Sequence, residues 1–222
     1  EDMAELFHDH GISSSLLAPW ADPIDPDIEF PRKTSDARRF QVLYSGNLGR
    51  AHDWRTVLDA QKQLEESDTP VDLVFQGGGS ERLDAERYAS ELGLQHCHWR
   101  PYVESKELLP SLLEADALLA TQREETRGLL WPSKLALAVR TGLPVLWIGP
   151  ENGSVWRWLE AKGHHGFAIG DSSGFAASLG RMARQVPRSE PRSPEVIASE
   201  ISQLAIEGRR QLCQWVNRPE NE

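Results

Sequence analysis

The sequence predicts an α/β protein: a Rossmann-like, doubly wound parallel sheet of about six strands. Three observations carry the sheet. Short apolar runs alternate with amphipathic stretches along most of the chain. The runs contain few polar positions, as strands covered on both faces do. Several end in glycine-rich turns that lead into the next helix.

The elements follow in order. Met3 to His10 reads as a short helix closed by Gly11 as a left-handed cap. Ser15 to Ala18 reads as a strand, and Pro19, Pro23, Pro26 and Pro31 mark an extended connector. From Phe40 the pattern is regular. Strands are expected at 41–45, 71–76, 96–99, 116–120, 144–148 and 166–169. Helices are expected at 53–63, 80–92, 106–114, 132–141, 154–162 and 173–184. Asp53 and Ser80 suit helix caps. After a second proline-rich connector, Ser193, Pro194 and Glu195 give a cap, a first-turn proline and a first-turn acid. The helix behind them reaches about Trp215, with Ile197, Ile201, Leu204, Leu212 and Trp215 near one face. It packs on its own domain or crosses to another. Three regions result: 1–40 as connector and domain remnant, 41–185 as the sheet domain, and 186–222 as connector and helix.

A chain of 222 residues can bury a core without metal or disulfide help. Cys97 and Cys213 are too few for a disulfide framework and suit a reducing compartment. The net charge of -10 argues against nucleic acid or acidic lipid as main partner, yet leaves room for a local phosphate site. No bilayer-spanning run and no signal-peptide pattern is visible. The start, Glu1-Asp2-Met3, leads us to expect a fragment. Trp20, Trp54, Trp99 and Trp131 fall near strand ends or loops, where packing and ligand contact are equally open readings.

Open α/β sheets bind ligands beyond the carboxyl ends of their strands. After the first strand, Gly46 and Gly49 let the backbone approach an anion, Asn47 lies between them, and Arg50 adds a forked cation. After the second, Gly77, Gly78 and Gly79 fit neither the dinucleotide nor the Walker spacing but could admit a ligand. After the fourth, a polar loop with Glu125 and Gly128 leads to Pro132-Ser133-Lys134. Pro132 suits a helix start, and a first-turn Lys134 opposes the helix dipole unless an anion binds there. His96 and His98 share one strand face, with no third metal ligand at suitable spacing. His164 and His165 suit a helix end, and His52 could face the crevice.

Leu43-Tyr44-Ser45-Gly46-Asn47-Leu48-Gly49-Arg50, Phe75-Gln76-Gly77-Gly78-Gly79, Pro101-Tyr102-Val103 and Pro132-Ser133-Lys134-Leu135, then Thr141 to Leu146, stand in an order that resembles the donor-binding domain of retaining GT-B glycosyltransferases. The group building bacterial exopolysaccharide, colanic-acid-type enzymes included, is the nearest in flavour. The resemblance covers roughly residues 40–180. It implies a nucleotide-sugar donor, often a UDP-sugar, whose sugar passes to a hydroxyl acceptor. It implies that Gly46, Asn47, Gly49 and Arg50 approach the diphosphate, that Ser133 and Lys134 hold phosphate, and that Tyr102 and Val103 sit near the base. Arg50 and Lys134 are the candidate catalytic cations, with no metal and no other cofactor expected. The implied partners are the donor, an acceptor glycan or lipid-linked sugar, and an N-terminal acceptor domain outside this chain. The implied location is cytoplasmic, with any inner-membrane attachment left to that domain. Two positions depart from the family pattern. Leu137 stands where many relatives carry a ribose-binding glutamate, with Glu125 a loose match for its partner. The lysine often found after the first loop is absent. A nucleotide-sugar epimerase, a non-catalytic binding domain and a flavodoxin-like domain are the alternatives.

Overall fold

The computed structural model describes residues 2–12, 14, 39–185 and 192–216. Helix α1 (Asp2–Asp9) is followed by β1 (Phe40–Ser45), α2 (Arg55–Glu66), β2 (Val71–Gln76), α3 (Arg82–Glu91) and β3 (Cys97–Arg100). Then come α4 (Ser105–Glu114), β4 (Ala117–Thr121), α5 (Lys134–Ala138), β5 (Val145–Ile148), α6 (Ser154–Glu160), β6 (His165–Phe167), α7 (Ser172–Arg184) and α8 (Pro194–Val216). The strand expected at 15–18 and the first proline connector lie outside the described residues.

The strands form one parallel sheet in the order β3-β2-β1-β4-β5-β6. This is the predicted doubly wound, Rossmann-like architecture. Strands β4 and β5 are buried at every residue, the signature of a sheet covered on both faces. On one face Val42, Tyr44, Leu73 and Phe75 pack against α2, α3 and α7. On the other, Leu43, Val74, Leu118 and Val145 pack against α4, α5, α6 and the start of α8. Edge strand β3 alternates in exposure because Cys97 and Trp99 face the covered side of the sheet and His98 and Arg100 the open side.

Some element ends differ from expectation. Helix α2 begins at Arg55, and neither Asp53 nor any other side chain caps it. Likewise α3 begins at Arg82, and Ser80 does not cap it. Helix α5 keeps only five residues, because the turns on both sides tighten. Leu135 and Ala136 donate to Pro132 and Ser133, and Arg140 and Thr141 donate to Leu137 and Ala138, all three residues back. In α8, Ile197 and Ile201 are fully buried on the domain's own core, whereas Ile206 and Leu212 are exposed. Among the described residues, no helix is long and apolar enough to cross a membrane.

Candidate functional site

A strand order that runs one way from β1 and the other way from β4 leaves a crevice between their carboxyl ends. A cleft of about 920 Å³ opens there. Gly46, Asn47 and His52 line it from the loop after β1, and Tyr102 and Val103 from the loop after β3. Trp131, Pro132, Ser133 and Lys134 form the opposite wall. Its inner end is apolar, with Leu43, Leu109, Leu118 and Leu137 among its lining.

Lys134 is the unusual group. Its Nζ is buried and has no hydrogen-bond partner. It lies 3.7 Å from the centroid of the Tyr44 ring, a cation–π contact that offsets part of the lost hydration. A Cβ on Gly46 would stand 3.0 Å from this Nζ. Glycine at 46 therefore makes the room that the ammonium occupies. Burial pushes the Lys134 pKa down to about 7. Tyr44 donates its hydroxyl to the Asn47 carbonyl at 2.9 Å. Burial pushes its pKa up, so the phenol stays neutral.

His52 forms the neighbouring wall. Its Nδ1 lies 2.7 Å from the Thr121 carbonyl, which can only accept, so Nδ1 carries the proton and Nε2 is left as acceptor. Burial pushes its pKa down to about 4, helped by the Lys134 and Arg123 cations and opposed by the Thr121 bond. The imidazole is neutral at pH 7. The cleft thus offers one partnerless ammonium beside a neutral ring. That arrangement favours an anionic ligand, which restores the charge balance that burial has taken away.

The remaining predicted residues are spread more widely. Asn47 is exposed and accepts a bond from the Tyr102 hydroxyl at 3.4 Å. Ser133 is exposed on the rim. Gly49 lies against Asn47, to which an added Cβ would approach within 3.3 Å. Gly77 and Gly78 are filled by protein: added Cβ atoms would lie 2.1 Å from the Gly46 carbonyl oxygen and 3.0 Å from the Tyr102 ring. Arg50 is exposed and is not among the residues lining the cleft. Glu125 is exposed on a 3-10 turn, Glu124–Thr126. Gly128 has φ +73° and lies beside the Asp2 carbonyl of α1. Of the tryptophans, Trp54 is core, Trp99 stacks on Phe75, and Trp131 lines the cleft; Trp20 lies outside the described residues. His164 stands just past the end of α6, its amide donating to the Leu159 carbonyl at 3.1 Å, and its ring accepts from the Val145 amide at 3.3 Å; His165 opens β6 instead.

Sequence reasoning missed Tyr44 as the surface beneath Lys134, and the neutral state of His52. The only available signal was the strand-to-loop position of both. It also missed Asp72, which joins His96 and His98 through strand pairing.

The family model described as glycosyl transferases group 1 matches residues 25–146. A putative colanic acid biosynthesis glycosyl transferase, WcaI of Escherichia coli (strain K12), is 30% identical over 131 residues. That match takes in 58% of this chain and 31% of the relative, so the chain spans about a third of that curated protein. Among solved structures, Anabaena HepE in complex with UDP-glucose superposes with a TM-score of 0.60 at 15% identity, over 96% of this chain and 52% of that one. TarM superposes with a TM-score of 0.62 at 13% identity, over 96% of this chain and 41% of the other. At such identities these two structures bear on the fold alone.

Proposed function

We propose a function from a premise that is itself shown: the chain belongs to the family of glycosyl transferases group 1. Its cleft takes the diphosphate of a nucleotide-sugar donor, a UDP-sugar, and the whole protein moves the sugar to a hydroxyl of an acceptor glycan or lipid-linked sugar. One observation carries this reading. Lys134 holds a buried ammonium with no hydrogen-bond partner, in a cleft at the switch point of the sheet. A family of glycosyl transferases speaks for transfer over the epimerase alternative.

As the bond from sugar to diphosphate breaks, negative charge grows on the leaving oxygens. A cation already fixed and desolvated beside them stabilises that charge at no reorganisation cost. Lys134 fills this role, with Arg50, exposed and outside the cleft lining, as a weaker cation. The two supply charge that a metal would otherwise supply, and the reading needs no other cofactor. The Gly46–Gly49 backbone and Ser133 complete the diphosphate contacts, and Tyr102 and Val103 lie on the base side. Gly77 and Gly78 act by holding Tyr102. Glu125 and Gly128 belong to the loop after β4 that leads to Leu130 and Trp131 of the cleft lining. Leu137 is buried and apolar, so any ribose contact comes from elsewhere. Retention of anomeric configuration, an acceptor domain beyond this chain and a cytoplasmic setting follow from the family resemblance.

Calorimetric titration of the chain with UDP-glucose tests the site. Lys134→Ala is expected to weaken binding at least ~10-fold, the loss of one charge-assisted contact. Unchanged affinity would overturn the diphosphate site. The same chain is expected to bind donor without transferring sugar, and turnover by it would place the acceptor site here.

A further inference from the structure

At the other end of the sheet, three side chains form a cluster that sugar transfer does not use. Asp72 is the second residue of β2, and His96 immediately precedes β3. The register pairs Leu73 with Cys97 and Val74 with His98. Alternation therefore puts Asp72, His96 and His98 on one face and turns Cys97 to the other. The Cys97 thiol packs against core residues on that other face, so it is no competing ligand.

We propose that Asp72, His96 and His98 form a binding site for one divalent transition metal, zinc by preference. The Asp72 carboxylate oxygen lies 3.2 Å from His96 Nδ1 and 3.8 Å from His98 Nε2. All three ligand atoms fall within 4.8 Å of one another. Ligand bonds of about 2.0–2.2 Å around a tetrahedral ion place donor atoms roughly 3.3–3.5 Å apart, close to the spacing already present. Two imidazoles with one carboxylate favour zinc or its neighbours over magnesium or calcium. All three side chains are partly exposed, which leaves a coordination position for water.

The site is held before an ion arrives. The His96 amide donates to Glu65 at 2.9 Å, and its carbonyl accepts from the Leu73 amide and the Gln61 side chain. Arg39 donates its Nε to the same Asp72 oxygen at 2.7 Å. A carboxylate oxygen has lone pairs for both a donor and a metal, and this bond fixes its orientation. The guanidinium also repels a dication, so the site suits modest affinity. Bound metal would clamp edge strand β3 to β2, far from the cleft, and its effect would be on stability.

The test is zinc titration of the tag-free chain by calorimetry, with thermal unfolding as second readout. One saturable site is expected, together with a zinc-dependent rise in Tm. His98→Ala and Asp72→Asn are each expected to weaken binding at least ~10-fold and to abolish the rise. His165→Ala, outside the cluster, should change neither. The His98 side chain is about half exposed and outside the core, so its variant keeps the fold. Absence of saturable binding, or His98→Ala and Asp72→Asn chains that bind zinc like the parent, would overturn the site.

Discussion

Two loops leave neighbouring parallel strands, and both carry glycines with positive φ: Gly46 after β1, and Gly77 and Gly79 after β2. Their surroundings differ. The space beside Gly46 is taken by the flexible end of Lys134, at the wall of the cleft. The space beside Gly77 is taken by the Gly46 carbonyl, and that beside Gly79 by the Leu48 backbone. The first loop keeps room for a charge and its ligand. The second uses its glycines so that one backbone can lie on another. A glycine-rich turn is therefore no evidence of a ligand until its neighbour is known.

The largest effect should come from breaking the second loop. Gly77→Ala places a methyl 2.1 Å from a backbone oxygen, at φ +133°. Backbone strain and overpacking each cost roughly 1–3 kcal/mol, so a loss of at least ~2 kcal/mol is expected. Gly46→Ala, at φ +138°, shares the strain but meets only a side-chain end. It should lose less stability and more donor affinity. Urea unfolding of the two variants decides the matter, and equal losses would erase the distinction between the loops.

A second effect lies in pH. With its pKa near 7, Lys134 must be protonated to hold a diphosphate. Donor affinity should be highest below pH 7 and fall as pH rises through it, by up to about tenfold per unit. The ligand should be UDP-glucose, whose diphosphate bears no terminal phosphate to titrate in this range. Stability moves the other way. The unfolded chain keeps the lysine proton up to its ordinary pKa, so the folded state gains stability between pH 7 and that value. Calorimetry across pH reads the first effect. A flat affinity profile, or one that keeps its slope in Lys134→Arg, would remove Lys134 as its source.

These tests also mark what the sequence could and could not show. Strand β2 was readable to the residue, because Val71, Leu73, Val74 and Phe75 make a mostly apolar run between turns, and runs of that kind are decided locally. The span of α5 was less readable: Pro132 and Thr141 bound the region, but turns with tighter bonding leave only its centre α-helical. Burial of Lys134 was not readable at all. The sequence placed a cation at a helix start and argued from the dipole, whereas the perturbation arises from desolvation over Tyr44. Asp72 stayed hidden for the same reason, since its meeting with His98 is made by strand pairing across a long separation in sequence.

The smallest expected effect concerns the other predicted cation. Arg50 follows the same glycine turn as Gly46, yet its side chain stands in solvent. Exposed charges act through water and salt and contribute about 0.2–1 kcal/mol, whereas a desolvated one contributes far more. Arg50→Ala should therefore weaken UDP-glucose binding by only about two- to fivefold, and the difference should shrink as ionic strength rises past the point where the Debye length is about 8 Å. Lys134→Ala should keep most of its deficit under the same salt. The two variants titrated at low and high salt settle the ranking. If Arg50→Ala costs as much as Lys134→Ala at high salt, the arginine folds into the cleft when donor binds, and the first loop closes on its ligand instead of standing open beside it.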